Sequence, residues 1–148
     1  MPYVIPANQL KEIIDGKRSE IVLTEVPVEK LRECVGFTYR WLPTSNAKVT
    51  VTYLPSNQIV ETGINADLKF LKKSLERNPA EYYWMDCICV PQDEKFPAKL
   101  KEISNMRTYY SEFKRVAFLG RLEGTTHDGD FKIVLFSTLC SANFYRNQ

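Results

Sequence analysis

The sequence is poor in the residues from which many common sites are built. It has a single histidine, His127, and four cysteines, none of them in a Cys-x-x-Cys pair. A structural zinc site needs four convergent thiolate or imidazole ligands, so no metal site is expected. The chain also lacks a Gly-rich phosphate loop and a Ser–His–Asp set. We therefore expect the cysteines to be small buried hydrophobic residues rather than metal ligands.

Charge and hydrophobicity set further limits. The formal net charge of the 148-residue chain is +2, which gives no indication of a nucleic-acid or membrane-surface partner. No apolar run is long enough to span a bilayer, and the first residues lack the basic and apolar regions of a signal peptide. A cytoplasmic protein with reduced thiols is expected. The length fits one domain over residues 1–148.

The central feature is an almost continuous apolar and aromatic run over residues 82–90, with the carboxylate of Asp86 inside it. Such a run, ended by Pro91, predicts a strand buried on both faces. The two cysteines of the run would then point to one face. Burying a carboxylate costs several kcal/mol unless it is paired or hydrogen-bonded. Two interpretations stay open: Asp86 accepts backbone N–H groups or pairs with Arg40 or Arg115, or it lies where the strand end opens to a ligand.

A helix and a second strand follow this run. Pro97 fits the first turn of a helix, where its missing N–H is not needed. An apolar stripe then recurs at spacings of three and four residues: Leu100, Ile103, Met106, Tyr110 and Phe113. Most polar residues lie off this stripe: Lys99, Lys101, Glu102, Asn105 and Glu112. Residues 115–119 form a short apolar strand before Gly120, so the pattern predicts a βαβ unit with parallel strands.

The rest of the chain supplies further elements. A helix over residues 8–15, capped by Asn8, is expected to end at Gly16. Strands are expected at residues 20–26 and 35–42, with a helical turn opened by Pro27 between them. Residues 48–54 alternate strictly and pair with 58–61 in a hairpin. A second helix, capped by Asn65 or Asp67, runs to residue 77, and residues 131–139 fit either a helix or a strand.

The order of these segments resembles the HET (heterokaryon incompatibility) domain of fungal cell-death proteins. The family shows an aromatic strand of the type Leu-Ser-Tyr-x-Trp-Gly and a later strand of the type Trp-Ile-Asp-x-x-Cys-Ile-Asn-Gln-Asp. Here the first motif appears as Phe37-Thr38-Tyr39-Arg40-Trp41-Leu42, and the second as Trp84-Met85-Asp86-Cys87-Ile88-Cys89-Val90-Pro91-Gln92-Asp93. Weaker matches are Asn65-Ala66-Asp67-Leu68, Met106-Arg107-Thr108-Tyr109-Tyr110 and Leu119-Gly120.

The resemblance implies a fold. HET domains are similar to TIR domains, so it implies an α/β, flavodoxin-like, open and mainly parallel sheet flanked by helices, with an inserted β-hairpin. The resemblance covers residues 35–120 as the core, between an N-terminal extension over residues 1–34 and a C-terminal segment over 121–148. Thr38, Leu42 and Pro91 depart from the usual Ser, Gly and Asn of the family.

The resemblance also implies a possible chemistry. Several TIR domains cleave the nicotinamide–ribose bond of NAD with a glutamate, and others act only as self-associating scaffolds. The family segment that carries the corresponding glutamate is represented here only by Asn143-Phe144-Tyr145-Arg146, ahead of Gln148. The expected catalytic glutamate is therefore absent from this sequence, and both an active NAD glycohydrolase and a catalytically silent module remain open.

A candidate site follows from the strand order. In open parallel sheets, ligands bind beyond the carboxyl ends of the strands. Two carboxylates, Asp86 and Asp93, are the candidate catalytic residues, because carboxylates stabilise the oxocarbenium character that develops in glycosidic cleavage. The candidate NAD-binding residues are Thr38, Tyr39, Arg40, Trp41 and Gln92. Among them, Trp41 offers a stacking surface and Arg40 a partner for a pyrophosphate.

Structural interpretations of these residues compete with the functional ones. The tryptophans can be core aromatics, and Gln92-Asp93 can be the turn before the next helix. The predicted partners are a second copy of the chain or another HET- or TIR-like domain, with no nucleic acid, no membrane and no metal. The resemblance thus implies a module of a cell-death or innate-defence pathway, with NAD or a related nucleotide as its ligand.

Overall fold

The structure is a computed structural model that describes residues 1–39, 42, 45–91 and 98–119. The elements in chain order are β1 (Ile5–Pro6), α1 (Ala7–Ile14), β2 (Glu20–Thr24), a 3₁₀ helix (Val28–Glu33), β3 (Cys34–Tyr39), β4 (Ala47–Leu54), β5 (Gln58–Ile64), α2 (Leu68–Arg77), β6 (Tyr82–Trp84), α3 (Asp86–Cys89), α4 (Ala98–Glu112) and β7 (Arg115–Leu119). The fold is α/β. None of the described helices is long and apolar enough to cross a membrane.

The strands form two sheets. The first has four strands in the order β1-β6-β3-β7, and the second has three in the order β2-β4-β5. Strand β3 pairs in parallel with both β6 and β7, whereas β1 runs antiparallel to β6. In the second sheet β2 is parallel to β4, and β4 is antiparallel to β5. The expectation of one open, mainly parallel sheet is therefore wrong, because both sheets are mixed.

The predicted βαβ unit is present with one difference. Strands β6 and β7 are parallel to each other and α4 connects them, but they lie on either side of β3 rather than side by side. All six residues of β3 are buried, as expected for the central strand of a covered sheet. The inserted hairpin is also confirmed as β4 and β5. Its strands belong to the second sheet, beside β2.

The central run contains less strand than its composition predicts. Strand β6 ends at Trp84, and the following residues, Asp86–Cys89, form the short helix α3. Strand β3 pairs with only three residues of β6, so the next backbone groups bond locally, as in Cys89 N–H to the carbonyl of Met85 at 2.7 Å. A short apolar run does not distinguish a buried strand from a buried helical turn. The two cysteines consequently do not share a strand face.

Helices cover the four-stranded sheet on both faces. The indole of Trp84 contacts Tyr110 of α4 and Phe113 directly after it, with ring centroids 5.4 and 5.6 Å away. The adjacent Tyr83 points the opposite way, and its hydroxyl donates to the carbonyl of Asn78 at the end of α2, at 2.8 Å. The ring of Tyr83 also stacks on Phe37. The first sheet is thus the middle layer of the fold.

The helix boundaries confirm some capping predictions and correct one. Asp67 caps α2, since its carboxylate accepts from the N–H groups of Lys69 and Phe70 at 2.9 and 3.2 Å. Gly16 follows α1 with a φ of 74°, a left-handed conformation that suits glycine. The predicted Asn8 cap is wrong, because α1 begins at Ala7 after Pro6 and no side chain caps it.

Most of the stripe predicted for α4 is confirmed, since Met106, Tyr110 and Phe113 are buried and Ile103 packs against the core, but Leu100 is wrong. Leu100 is 78% exposed, whereas Glu102, expected on the solvent side, is only 2% exposed. The buried residues are Glu102, Met106, Tyr109 and Tyr110 of the helix, and Phe113 directly after its end. Their spacing of four, three, one and three is still helical. The helix is therefore rotated from the predicted orientation toward Glu102 and away from Leu100.

Candidate functional site

The candidate site lies where two neighbouring parallel strands end. Strand β3 ends at Tyr39, and β6 ends at Trp84 immediately before the helical turn that starts at Asp86. Because β3 and β6 are parallel and paired, their carboxyl ends meet at one edge of the first sheet. Such an edge is where open α/β sheets bind their ligands. The predicted site residues Tyr39 and Asp86 both lie there.

Tyr39, Asp86 and Cys87 form a buried cluster at this edge. Their exposed fractions are 2%, 1% and 1%. Burial raises the pKa of the Tyr39 phenol well above its usual value, and the neighbouring Cys87 and Asp86 raise it further. Burial and then Asp86 raise the pKa of the Cys87 thiol to about 12. Both groups are therefore neutral hydrogen-bonding groups near pH 7, not a phenolate or a reactive thiolate.

The second sheet holds the backbone of α3 in place. The hydroxyl of Tyr53 on β4 donates to the carbonyl of Ile88 at 2.5 Å, and the hydroxyl of Thr62 on β5 donates to the carbonyl of Cys87 at 3.0 Å. A helix of four residues has few internal hydrogen bonds, so these two side chains supply partners that its carbonyls lack. Neither role is predictable from the sequence, because strand alternation gives no signal of which carbonyl an inward hydroxyl meets.

The structure places only part of the predicted site. Thr38 is 5% exposed and lies beside Tyr39 in β3, so three of the predicted residues, Thr38, Tyr39 and Asp86, are buried near the same edge. The other predicted residues, Arg40, Trp41, Gln92 and Asp93, lie outside the described residues. The structure does not test the ligand contacts that the sequence predicts for these four residues.

The described cysteines behave as expected for core residues. Cys34, Cys87 and Cys89 are buried and take no part in disulfides. Over the described ranges, no group of three His, Cys, Asp or Glu residues is arranged to hold a metal ion. Cys140 lies outside the described residues. The prediction that the cysteines are small buried hydrophobic residues is confirmed for the three that the structure describes.

A surface cleft lies apart from the candidate site. It has a volume of about 360 Å³ and separates α1 from α2. At its rim the Nζ of Lys72 lies 3.5 Å from the Oδ1 of Asp15, and both side chains are more than a third exposed. None of the predicted site residues lines this cleft. It therefore gives no support to the predicted nucleotide site.

Comparison with known proteins identifies the family. The family described as heterokaryon incompatibility protein (HET) matches residues 37–141. This range contains β3 from Phe37 onward, the hairpin, and the Asp86 turn, so it includes the buried cluster described above. Neither a curated protein nor a solved structure matches the chain. Since the match spans most of its length, the chain belongs to the heterokaryon incompatibility (HET) family.

Proposed function

We propose that this chain is a cytoplasmic signalling module of a cell-death or innate-defence response, acting by self-association or by binding another HET- or TIR-like domain. Its family supports the heterokaryon-incompatibility setting. We further propose that a nucleotide such as NAD binds at the carboxyl ends of β3 and β6 and controls this association. A relationship to TIR domains is part of the same proposal.

The observation that carries the proposal is the position of Asp86. Its carboxylate is 1% exposed at the end of β6, beside Tyr39 at the end of the neighbouring strand. A buried carboxylate is costly unless the surrounding groups hold it, and sites for ligands are a common reason to retain one. In this proposal Asp86 and Tyr39 form the inner wall of the nucleotide site and orient the residues that contact the ligand.

The proposal keeps the remaining predicted residues in their predicted roles. Arg40 and Trp41 directly follow Tyr39 in the sequence, and Gln92 and Asp93 follow α3 after two residues. A guanidinium holds a pyrophosphate and an indole stacks on a base or a nicotinamide ring. We therefore assign ligand contact to these four residues and a supporting role to the buried cluster.

A second candidate function is cleavage of NAD by an acidic residue of this chain. The observation in its favour is that Asp86 lies in surroundings from which water is excluded, where a carboxylate stabilises positive charge more strongly than it does in water. The same burial favours a supporting role, because a reacting carboxylate must touch its substrate. Asp93 is the other acidic candidate. We rank cleavage second for this reason.

The experiment that separates the two functions uses purified protein with NAD. Nicotinamide release is followed together with the ligand-induced thermal shift and with molar mass by light scattering. We expect a thermal shift and a change in oligomeric state without nicotinamide release. Release that disappears in Asp93→Asn or Asp86→Asn would instead establish the enzyme. The absence of shift, release and self-association would reject both proposals.

A further inference from the structure

The outward face of the second sheet exposes two apolar side chains at its centre. Val22 of β2 and Ile59 of β5 are 50% and 61% exposed. Both are paired in register with Thr52 of β4, the strand between them. Side chains of directly paired residues point to the same face, so these three residues form one row across the sheet. Exposed apolar residues grouped in a row, unlike scattered ones, indicate a surface that contacts another molecule.

The core lies on the other face of this sheet. Val51 and Tyr53 of β4 are fully buried there, and the Tyr53 hydroxyl donates to the carbonyl of Ile88 in α3. Because the sheet buries only this inner face, polar side chains at positions 22 and 59 would leave the core intact. Val22 and Ile59 are therefore available for a contact with another molecule.

Two carboxylates lie beside this apolar row. Glu20 of β2 and Glu61 of β5 are exposed, and both pair in register with Thr50, two residues before Thr52 in β4. Since side chains alternate along a strand, the two carboxylates share the outward face with the row. Lys48 is the next outward residue of β4, so the charged end of this face holds two carboxylates and one amine. Val22, Ile59, Glu20 and Glu61 are called the acidic sheet face below.

The outer surface of α2 has the complementary pattern. Phe70 is 40% exposed, and Lys73 and Arg77 follow it at three and seven residues, so the three side chains share one side of the helix. Lys69, four residues before Lys73, adjoins them and is also exposed. None of these three basic side chains forms an ion pair with another described residue. Phe70, Lys69, Lys73 and Arg77 are called the basic helix face below.

We propose that the acidic sheet face of one copy of this chain binds the basic helix face of a second copy. This inference rests on the proposed function, because it specifies the surfaces through which the chain associates with itself. Charge complementarity selects this pairing, since two sheet faces or two helix faces would bring like charges together. In the contact, Phe70 of one copy lies on the row of Val22 and Ile59 of the other, and these apolar side chains are removed from water.

The two faces are different, so the contact is heterologous. Each bound copy keeps one unused face, and further copies add to form a ring or an open chain. The outer strands of the sheet lie about 10 Å apart and a ten-residue helix such as α2 is about 15 Å long, so one contact buries less than the roughly 800 Å² per partner of a standard interface. A single contact is therefore weak, and assembly is strengthened where several copies are held close together.

The test is the molar mass of the purified protein by light scattering, with and without NAD, up to about 1 mM, where weak contacts are populated. The wild type should form species larger than a dimer. Ile59→Glu on the sheet face and Phe70→Glu on the helix face should each raise the concentration needed for assembly at least about tenfold, because each places a charge in the contact. Leu100→Glu is the matched control, since Leu100 is 78% exposed and outside both faces, and it should assemble like the wild type.

A mixture of the two variants makes the result decisive. Ile59→Glu retains its helix face and Phe70→Glu retains its sheet face, so an equal mixture should form a dimer of one molecule of each and nothing larger. Formation of this dimer also shows that both variants are folded. Glu20→Lys/Glu61→Lys, which keeps the apolar row, should behave like Ile59→Glu alone and in the mixture.

The outcomes separate this proposal from the proposed function. Single variants that assemble like the wild type, or a mixture that stays monomeric, would overturn the pairing of these faces and leave self-association itself in place. A wild type that stays monomeric with and without NAD would overturn both. Assembly through these faces that does not respond to NAD would support the pairing and reject only the control by the nucleotide.

Discussion

The hydroxyl of Tyr53 on β4 donates a hydrogen bond of 2.5 Å to the carbonyl oxygen of Ile88 in α3. Together with the bond from Thr62 to the carbonyl of Cys87, it joins the second sheet to the turn that carries Asp86. The hairpin is therefore more than an insertion at the surface. Its inward hydroxyl groups fix the backbone on which the candidate site is built.

Tyr53→Phe should destabilise the fold by roughly 1–3 kcal/mol, because it leaves the buried carbonyl of Ile88 without this donor. Thr62→Val should lower the free energy of unfolding by less than Tyr53→Phe does, since Thr62 is only half-buried. Urea unfolding measures both free energies. Thr52→Val, on the outward side of β4, is the matched control and should change stability little. A loss below about 0.5 kcal/mol in Tyr53→Phe would show that this bond does not hold α3.

Gly36→Ala should destabilise the protein by roughly 1–3 kcal/mol through overpacking. A methyl group at Gly36 of β3 would overlap the Cδ2 and Cε2 atoms of Phe113. That ring cannot move freely, because it packs against Trp84 and Tyr110. Urea unfolding of the single variant and of Gly36→Ala/Phe113→Leu checks the cause. The second substitution should recover part of the loss, and purely additive losses would contradict the proposed overlap.

Global stability should decline as the pH rises from about 4.5 to about 7. The pKa of Glu102 is raised from 4.5 to about 7 in the folded state, so the folded protein holds a proton that the unfolded chain has released. The favourable contribution is complete below the unfolded pKa and is lost as the pH passes the folded one. A shift of this size corresponds to about 3 kcal/mol.

This pH dependence is measured as the difference in unfolding free energy between the wild type and Glu102→Gln at each pH. Taking the difference removes the contributions of all other titratable groups, because the wild type and the variant share them. Between pH 4.5 and 7 the unfolding free energy of the wild type should fall relative to that of the variant. Above pH 7 the difference between the two free energies should stay constant. A difference that does not vary with pH would count against a buried, proton-binding Glu102.

Asp67→Ala should destabilise the protein by about 1 kcal/mol through loss of the α2 cap. The Asp67 carboxylate accepts from two N–H groups of the first turn. Asp67→Asn preserves the acceptor oxygen and is the control that should stay within a few tenths of a kcal/mol of the wild type. Equal losses in the two variants, measured by urea unfolding, would assign the effect to charge rather than to capping.

The sequence predicted those parts of the fold whose signals are local. Strict alternation located β4, and the Asp67 cap and the turn at Pro27 located α2 and the 3₁₀ helix. The separate second sheet was not predictable, because strand pairing partners far apart in the chain are set by the tertiary fold. The end of β6 at Trp84 has no local signal either, because β3 continues to Tyr39 while the chain after Trp84 turns into α3.

The candidate site shows the same limit. A carboxylate within an apolar run predicts that Asp86 is buried, and this is confirmed, but its neighbour Tyr39 is not predictable from the run. The apolar stripe of α4 excludes Glu102, which the structure nevertheless buries. Its spacing of four, seven and eleven residues from Met106, Tyr109 and Phe113 was nevertheless a signal of burial. Helical spacing alone, without regard to charge, therefore predicts that Glu102 is buried.

The most direct test of the account is the NAD-induced thermal shift of the wild type compared with Asp86→Asn. The matched control is Cys89→Ala, a buried change in the same helix that leaves the carboxylate intact. At an NAD concentration about 100-fold above the Kd, the wild type and Cys89→Ala should melt roughly 5–10 °C higher. Asp86→Asn should fold and show no such shift. No shift in the wild type, or an equal shift in Asp86→Asn, would contradict a nucleotide site at the ends of β3 and β6.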